Sequence, residues 1–184
     1  RLLTSGADAM ALARGIRKSV DAVVENLKKQ SRPIDASKKD DIANVAQDFK
    51  SLRGKVLRLN DDGSVPPDNP FVGREGYRPE IYTLGHRNTL GLISHPGTGQ
   101  MWQHENGPNG GDEINILLPG RDYGWPQVSF GRDYSGRRIS EHPTRAGIEP
   151  PLVFWVPAIA VAGMAVYTGD RFPAWSRSRA RRAS

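Results

Sequence analysis

The groups in this chain best suited to chemistry are gathered between residues 85 and 126. Arg87 and Asn88 follow a Gly-His pair, and a guanidinium fork beside an amide supplies the charged and neutral donors that a planar anion requires. Further on, Asn106-Gly107-Pro108 leads through a Gly-rich turn to Asp112-Glu113, and Tyr123-Gly124-Trp125-Pro126 closes the stretch. A hard cation such as Ca²⁺ takes roughly six to eight oxygen ligands from carboxylates, peptide carbonyls and water. Pro108 has no N–H and Gly107 admits unusual φ values, so this loop can turn its carbonyls outward together. An acidic pair after glycines is equally the make-up of a solvated turn. The residues alone leave both readings open.

Short apolar runs of strand length position these groups: Lys55 to Leu59, Ile81 to Leu84, Leu90 to Ser94, Gln100 to His104, Ile114 to Leu118, Leu152 to Val156 and Met164 to Tyr167. Turn chemistry separates them, including Asp61-Asp62-Gly63 and Pro96-Gly97-Thr98-Gly99. Many short strands between Gly/Pro-rich turns predict an all-β sandwich, barrel or propeller. No helix pattern interrupts residues 54–175, which argues against a nucleotide-binding α/β domain. The start of the chain differs. From Ala7 to Gln30, Ile16, Val20, Val23, Val24 and Leu27 recur on one face of an amphipathic helix that Ser31-Arg32-Pro33 stops. A second, shorter helix is expected from Ser37, with Ile42, Val45, Ala46 and Phe49 as its apolar stripe.

The chain has 184 residues, of which 37% are hydrophobic, enough for one ordinary globular domain. No window approaches the roughly 18 consecutive apolar residues of a membrane span. The first residues show neither an initiating Met nor a signal-peptide hydrophobic region. Of the net charge of +6, four units sit on the four arginines of residues 176–184, an Arg/Ser run that reads as a disordered tail. The rest of the chain is nearly neutral, so no specific nucleic-acid partner is expected. With no cysteine, disulfides and thiolate metal sites are excluded.

Residues 47–175 resemble the soluble quinoprotein sugar dehydrogenases of the glucose/sorbosone or aldose type, on segments in matching order. These are GKVLRLNDDGSVPPDNPF (54–71), PEIYTLGHRN (79–88), GPNGGDEINIL (107–117), YGWP (123–126) and GMAVYTGDRFPAW (163–175). The resemblance implies a mainly β chain forming part of a six-bladed β-propeller, preceded by a short α-helical segment. It implies oxidation of the C1 hydroxyl of an aldose by hydride transfer to Ca²⁺-bound pyrroloquinoline quinone, with an external electron acceptor and a periplasmic or secreted location. Arg87 and Asn88 would lie on the cofactor. Gly107 and Pro108 would offer carbonyls to its Ca²⁺, with Asp112, Glu113 and Tyr123 in a nearby structural Ca²⁺ region. The family's base histidine falls upstream of the GKVLRL-like strand and has no counterpart here, so no catalytic residue is assigned. His86 reads as a structural or supporting histidine, and His95, His104 and His142 match other positions. Thr89-Leu90 stand where the family often has Pro-Gln, which removes one polar contact. Trp102, Trp125, Trp155 and Trp175 could stack on a planar ligand, although large aromatics at such corners are more often core.

Residues 6–46 are instead similar to part of the equatorial domain of a group I chaperonin, on GADAMALARGIRKSVDAVVENLKKQSRPID. That family's phosphate loop is absent, so ATP chemistry is not implied. The chain therefore divides into a helical chaperonin-like stretch (1–46), a partial propeller (47–175) and a tail (176–184), the arrangement expected of a chimeric or frameshifted reading frame. The alternative is a non-catalytic chaperonin-derived or propeller-type binding fragment. A partial ring exposes strand edges, and the chain is expected to melt with poor cooperativity and without turnover of sugar. Differential scanning calorimetry checks this: one sharp, reversible transition would contradict it.

Overall fold

The computed structural model describes residues 44–172. The helix expected over 7–30, most of the one from Ser37, the chaperonin-like segment up to residue 43, Trp175 and the Arg/Ser tail lie outside the described residues. The described chain is mainly β and contains six strands, all paired antiparallel. β1 (Lys55–Leu57) and β2 (Ile81–Leu84) form a two-stranded sheet with a register shift at Val56/Leu57. β3 (Thr89–Ser94), β4 (Met101–Glu105), β5 (Asp112–Ile116) and β6 (Val153–Trp155) form a four-stranded meander in chain order.

Each connection follows from local chemistry. Between β3 and β4, His95 both receives an N–H from Gly99 and donates its own to the Gln100 carbonyl, closing a tight turn. Between β4 and β5 runs the Gly-rich loop 106–111. Between β5 and β6 lies the long excursion 117–152, which folds back over the sheet: Phe130 stacks on Phe154 of β6 at 3.8 Å.

Four of the seven expected strands are found within a residue or so of their predicted bounds. β1 and β6 are shorter than expected. β5 begins two residues early, so that Asp112-Glu113 sits in the sheet rather than in a turn. Asp has low strand propensity because its side chain competes for backbone donors; here that competition is satisfied, as described below. Met164–Tyr167 forms no strand. Its apolar pattern suits a pleated surface, but a strand exists only when its N–H and C=O groups meet a neighbour's.

The hydrophobic core lies under β2. Phe71, Ile81 and Leu84 are buried, with Phe49, Leu52 and Tyr77 packed against them. Phe71 stacks on Tyr77 at 5.3 Å and meets Phe49 edge-on at 5.5 Å, geometries that suit the aromatic quadrupole. β2 alternates Ile81 and Thr83 inward and then runs, at Leu84, into a crowded crossing. There Leu84 donates to the Arg121 carbonyl and accepts from Tyr123 N–H, while Gly85 donates to the Ala46 carbonyl and accepts from Trp125 N–H. Asp122 ties in the same crossing, its Oδ1 accepting from Gln47 Nε2 at 2.9 Å and Gly124 N at 2.8 Å.

Gly85 permits this crossing. Its φ is +77°, and a Cβ there would run into Asp122 Oδ1 and Gly124 N. Gly85→Ala is therefore expected to lose on the order of 3 kcal/mol, combining left-handed strain with overpacking, read as a lowered urea midpoint.

Candidate functional site

The loop that follows β2 is fastened to the end of β4. Arg87 N–H donates to Glu105 Oε2 at 3.0 Å, Arg87 Nη1 donates to the Asn106 carbonyl at 2.9 Å, and Asn106 N–H donates to the Asn88 carbonyl at 3.1 Å. The guanidinium also lies over the Trp125 ring, 5.3 Å from its centroid, a cation–π arrangement that holds its plane. Asn88 is exposed. Arg87 is thus oriented from three sides by groups the chain brings from separate places.

The Gly107 turn is shaped by a buried carboxylate. Asp112 is fully buried; its Oδ1 accepts Gly107 N–H at 3.0 Å, and its Oδ2 accepts the N–H groups of Ile159 and Ala160 at 2.8 and 2.7 Å. Three peptide donors on one carboxylate satisfy a charge that the interior would otherwise exclude. The turn itself needs its glycine, since a Cβ at Gly107 would strike the Gly110 carbonyl. Asp112→Ala would leave these buried N–H groups unpaired and is expected to cost on the order of 3 kcal/mol, measured by chemical denaturation.

Arg87 and Gly107 line one small cavity, together with Glu105, Asn106, Glu113 and Trp125. Glu105 and Glu113 are directly opposite each other in the β4–β5 register, so both point from the same face. Burial first, and then the Glu105 charge, push the Glu113 carboxyl up to about 8, against a partial counterweight from the Asn115 amide. Asn115 continues a polar seam across the sheet, donating to Gln103 Oε1 at 3.0 Å, while Gln103 donates to Thr89 Oγ1 at 2.8 Å. Thr89, which stands where a cofactor-contacting Pro-Gln was expected to begin, is occupied in this seam. Asn106 Oδ1 and Asn115 Oδ1 are buried without hydrogen-bond partners.

Tyr123 is buried. Its hydroxyl donates to the Ile116 carbonyl at 2.6 Å and accepts Leu118 N–H at 3.0 Å, and burial raises its pKa well above the usual phenol value. Its ring stacks on His86 at 4.8 Å. His86 is buried, with Nε2 2.8 Å from Thr83 Oγ1 and Nδ1 3.7 Å from Glu105. Among the described residues no histidine lines the cavity. Glu105, which the sequence reading did not single out, and Asn106, which it named only as the start of the Gly-Pro turn, are central to the arrangement. Their only signal was position, immediately before the Gly-Pro turn.

These features define a site built on β-strand ends rather than on a helix. A family model for glucose/sorbosone dehydrogenases matches residues 35–180, and the chain belongs to that family. Aldose sugar dehydrogenase YliI of Escherichia coli (strain K12) is 46% identical over 135 residues, covering 72% of this chain and 36% of that protein. Quinoprotein glucose dehydrogenase B of Acinetobacter calcoaceticus is 47% identical over 100 residues, covering 54% of this chain and 20% of that protein. Among solved structures, the apo form of the soluble aldose sugar dehydrogenase from Escherichia coli aligns with a TM-score of 0.69 at 44% identity, over 72% of this chain and 39% of that one. The chain therefore spans little more than a third of these Escherichia coli relatives. Chaperonin GroEL 1 of Rhodopirellula baltica matches a shorter part, 44% identical over 46 residues, or 25% of this chain and 8% of that protein.

The raised Glu113 pKa carries a pH signature. The folded state keeps a proton that the unfolded state releases above its ordinary carboxyl value of 4.5. Stability from this group is thus complete below that value and is lost as pH rises toward about 8. Melting temperature measured from pH 4 to 9 should show this fall, and Glu113→Gln should flatten it.

Proposed function

We propose that this chain carries the cofactor-gripping part of a quinoprotein aldose dehydrogenase, with the β3–β6 meander as one blade of a six-bladed propeller and residues 47–175 as the propeller segment. The same proposal assigns residues 1–46, whose sequence reads as helical and chaperonin-like, and the tail over 176–184 to stretches outside the propeller segment. The observation that supports it best is the convergence of Arg87 and the Gly107 turn on a single cavity.

The residues present fit the donor set that pyrroloquinoline quinone requires. Arg87 offers a guanidinium already fixed in plane by Trp125 and the Asn106 carbonyl, and Asn88 adds an exposed amide beside it. The buried, unpartnered Asn106 Oδ1 belongs to a residue that lines the same cavity. For a calcium ion the fit rests on peptide oxygens. Among the described residues no three His, Cys, Asp or Glu side chains are grouped to hold a metal. The ion would therefore take the carbonyls of Gly107 and Pro108, with Glu113 and the Tyr123 region nearby. Asp112 holds the Gly107 turn in shape through its Oδ1, which keeps a lone pair toward the expected cation region, while its Oδ2 is taken by two N–H groups.

When bound, the quinone supplies the electron sink for oxidising a sugar C1 hydroxyl, and the cation the Lewis acidity beside it. The chain's own residues bind and orient. Arg87 meets carboxylate charge, Glu105 keeps the Arg87 peptide in place, and Trp125 walls the guanidinium from one side. His86 is buried against Thr83 and Tyr123, and His95, His104 and His142 stand away from the cavity lining. None is placed to take the hydroxyl proton, so this chain binds without turning over. An aldose as substrate, an external electron acceptor and an exported location follow from the same reading.

The test is a titration of the full chain with pyrroloquinoline quinone and Ca²⁺, followed by dye reduction with an aldose. Saturable binding without dye reduction is the expected result, with Arg87→Ala weakening the quinone by about tenfold or more through loss of a charge-assisted contact. Absence of quinone binding would overturn the assignment.

A further inference from the structure

One residue beside the cavity has no role in the account above. Tyr134 is 80% exposed, the most exposed large apolar or aromatic side chain among the described residues, yet its hydroxyl lies 3.3 Å from Arg87 Nη2. It stands at the tip of a short, internally bonded arm. Asp133 Oδ1 accepts the N–H groups of Ser135 and Arg137, both at 2.9 Å, and the Ser135 hydroxyl at 2.6 Å; Asp133 N–H donates to the Arg137 carbonyl, and Arg132 Nη1 to the Gly136 carbonyl, each at 2.9 Å. The base of the arm is joined to the Gly-rich turn, with Arg132 N–H donating to the Asn109 carbonyl at 3.0 Å. Where Gly131 passes the same turn, a Cβ would strike the Gly110 carbonyl.

The arm is therefore a mount fixed to the loop that carries Gly107 and Pro108, and it holds the Tyr134 side chain out in solvent. Its partner is one edge of the Arg87 guanidinium: the peptide N–H is taken by Glu105 and Nη1 donates to the Asn106 carbonyl, while Nη2 makes this long, exposed contact. A neutral hydroxyl there accepts one long, exposed bond, and a carboxylate displaces it because it brings the opposite charge and can accept two guanidinium N–H groups in parallel.

We propose that Tyr134 is a ligand-contacting residue of this site: its hydroxyl holds the free edge of Arg87 until a carboxylate takes that edge, and its ring then covers the face of a flat aromatic anion. The proposal rests on reading Arg87 as an anion-binding group. It adds a selection for planar ligands that a guanidinium alone does not make.

The experiment titrates the full chain by calorimetry with pyridine-2,4,6-tricarboxylate, which is flat, and tricarballylate, which is saturated and flexible. The wild-type chain is expected to bind the flat anion about fivefold or more tighter, the scale of one aromatic contact. Tyr134→Ala should erase that preference. Tyr134→Phe should keep it and bind the flat anion at least as tightly, since the ring remains and Nη2 is released. Arg87→Ala should lose both anions. A preference unchanged in Tyr134→Ala, an equal loss in Tyr134→Phe, or no binding of the flat anion to the wild-type chain would overturn the role of Tyr134. Pyrroloquinoline quinone is titrated in parallel. If the flat tricarboxylate shows the expected pattern and the quinone does not bind, the dehydrogenase reading fails while the Tyr134 site stands. If the quinone binds equally to wild type and Tyr134→Ala, the Tyr134 site fails while the dehydrogenase reading stands.

Discussion

Everything at the site depends on one buried carboxylate. Asp112 opens β5, and from there it reaches back to Gly107 in its own preceding loop and forward to Ile159 and Ala160, far along the chain. Without that anion the Gly107 N–H and the peptide N–H groups of Ile159 and Ala160, in the segment after β6, would all lose their acceptor. A charge is stable in such a place only because peptide N–H groups surround it. The order of the segment after β6 and the shape of the Gly107 turn therefore rest on the same carboxylate.

A second constraint is strand register. Antiparallel pairing sets Glu105 opposite Glu113 and Gln103 opposite Asn115, which concentrates polar side chains on one face of the meander. A slip of either strand by one residue would send its two polar side chains to the other face and split both pairs. The seam that results is mostly satisfied by its own amides, and the remaining acidity is confined to the pair at the cavity. Glu105 then acts in two directions, fixing the Arg87 peptide and facing His86.

Much of this could be read from residue order alone. The strands announced themselves through short apolar runs between Gly- and Pro-rich turns, and Arg87, Asn88, Gly107 and Pro108 stood out because their types are matched to anions and hard cations. Asp112-Glu113 was harder. The pair looks like turn material, and only donors contributed by residues 159 and 160 make it tolerable inside a sheet. Glu105 and Tyr134 could not be found this way at all. The importance of Glu105 is a matter of what lies across the ladder, and that of Tyr134 of where a fold-back places a surface ring. Met164–Tyr167 failed in the opposite sense, since its composition suits a strand while the described chain brings no neighbouring strand to it.

The excursion between β5 and β6 has an evolutionary reading. It contributes Tyr123, Trp125 and the Tyr134 arm, yet both of its ends are clamped by the same sheet, and the entropic penalty of lengthening such a loop grows only logarithmically. Insertions and deletions near its tip would leave the meander intact while altering the furniture around Arg87. The shape of the surface around Arg87 is thus detachable from folding: the tip can be remodelled without renegotiating how the sheet is made.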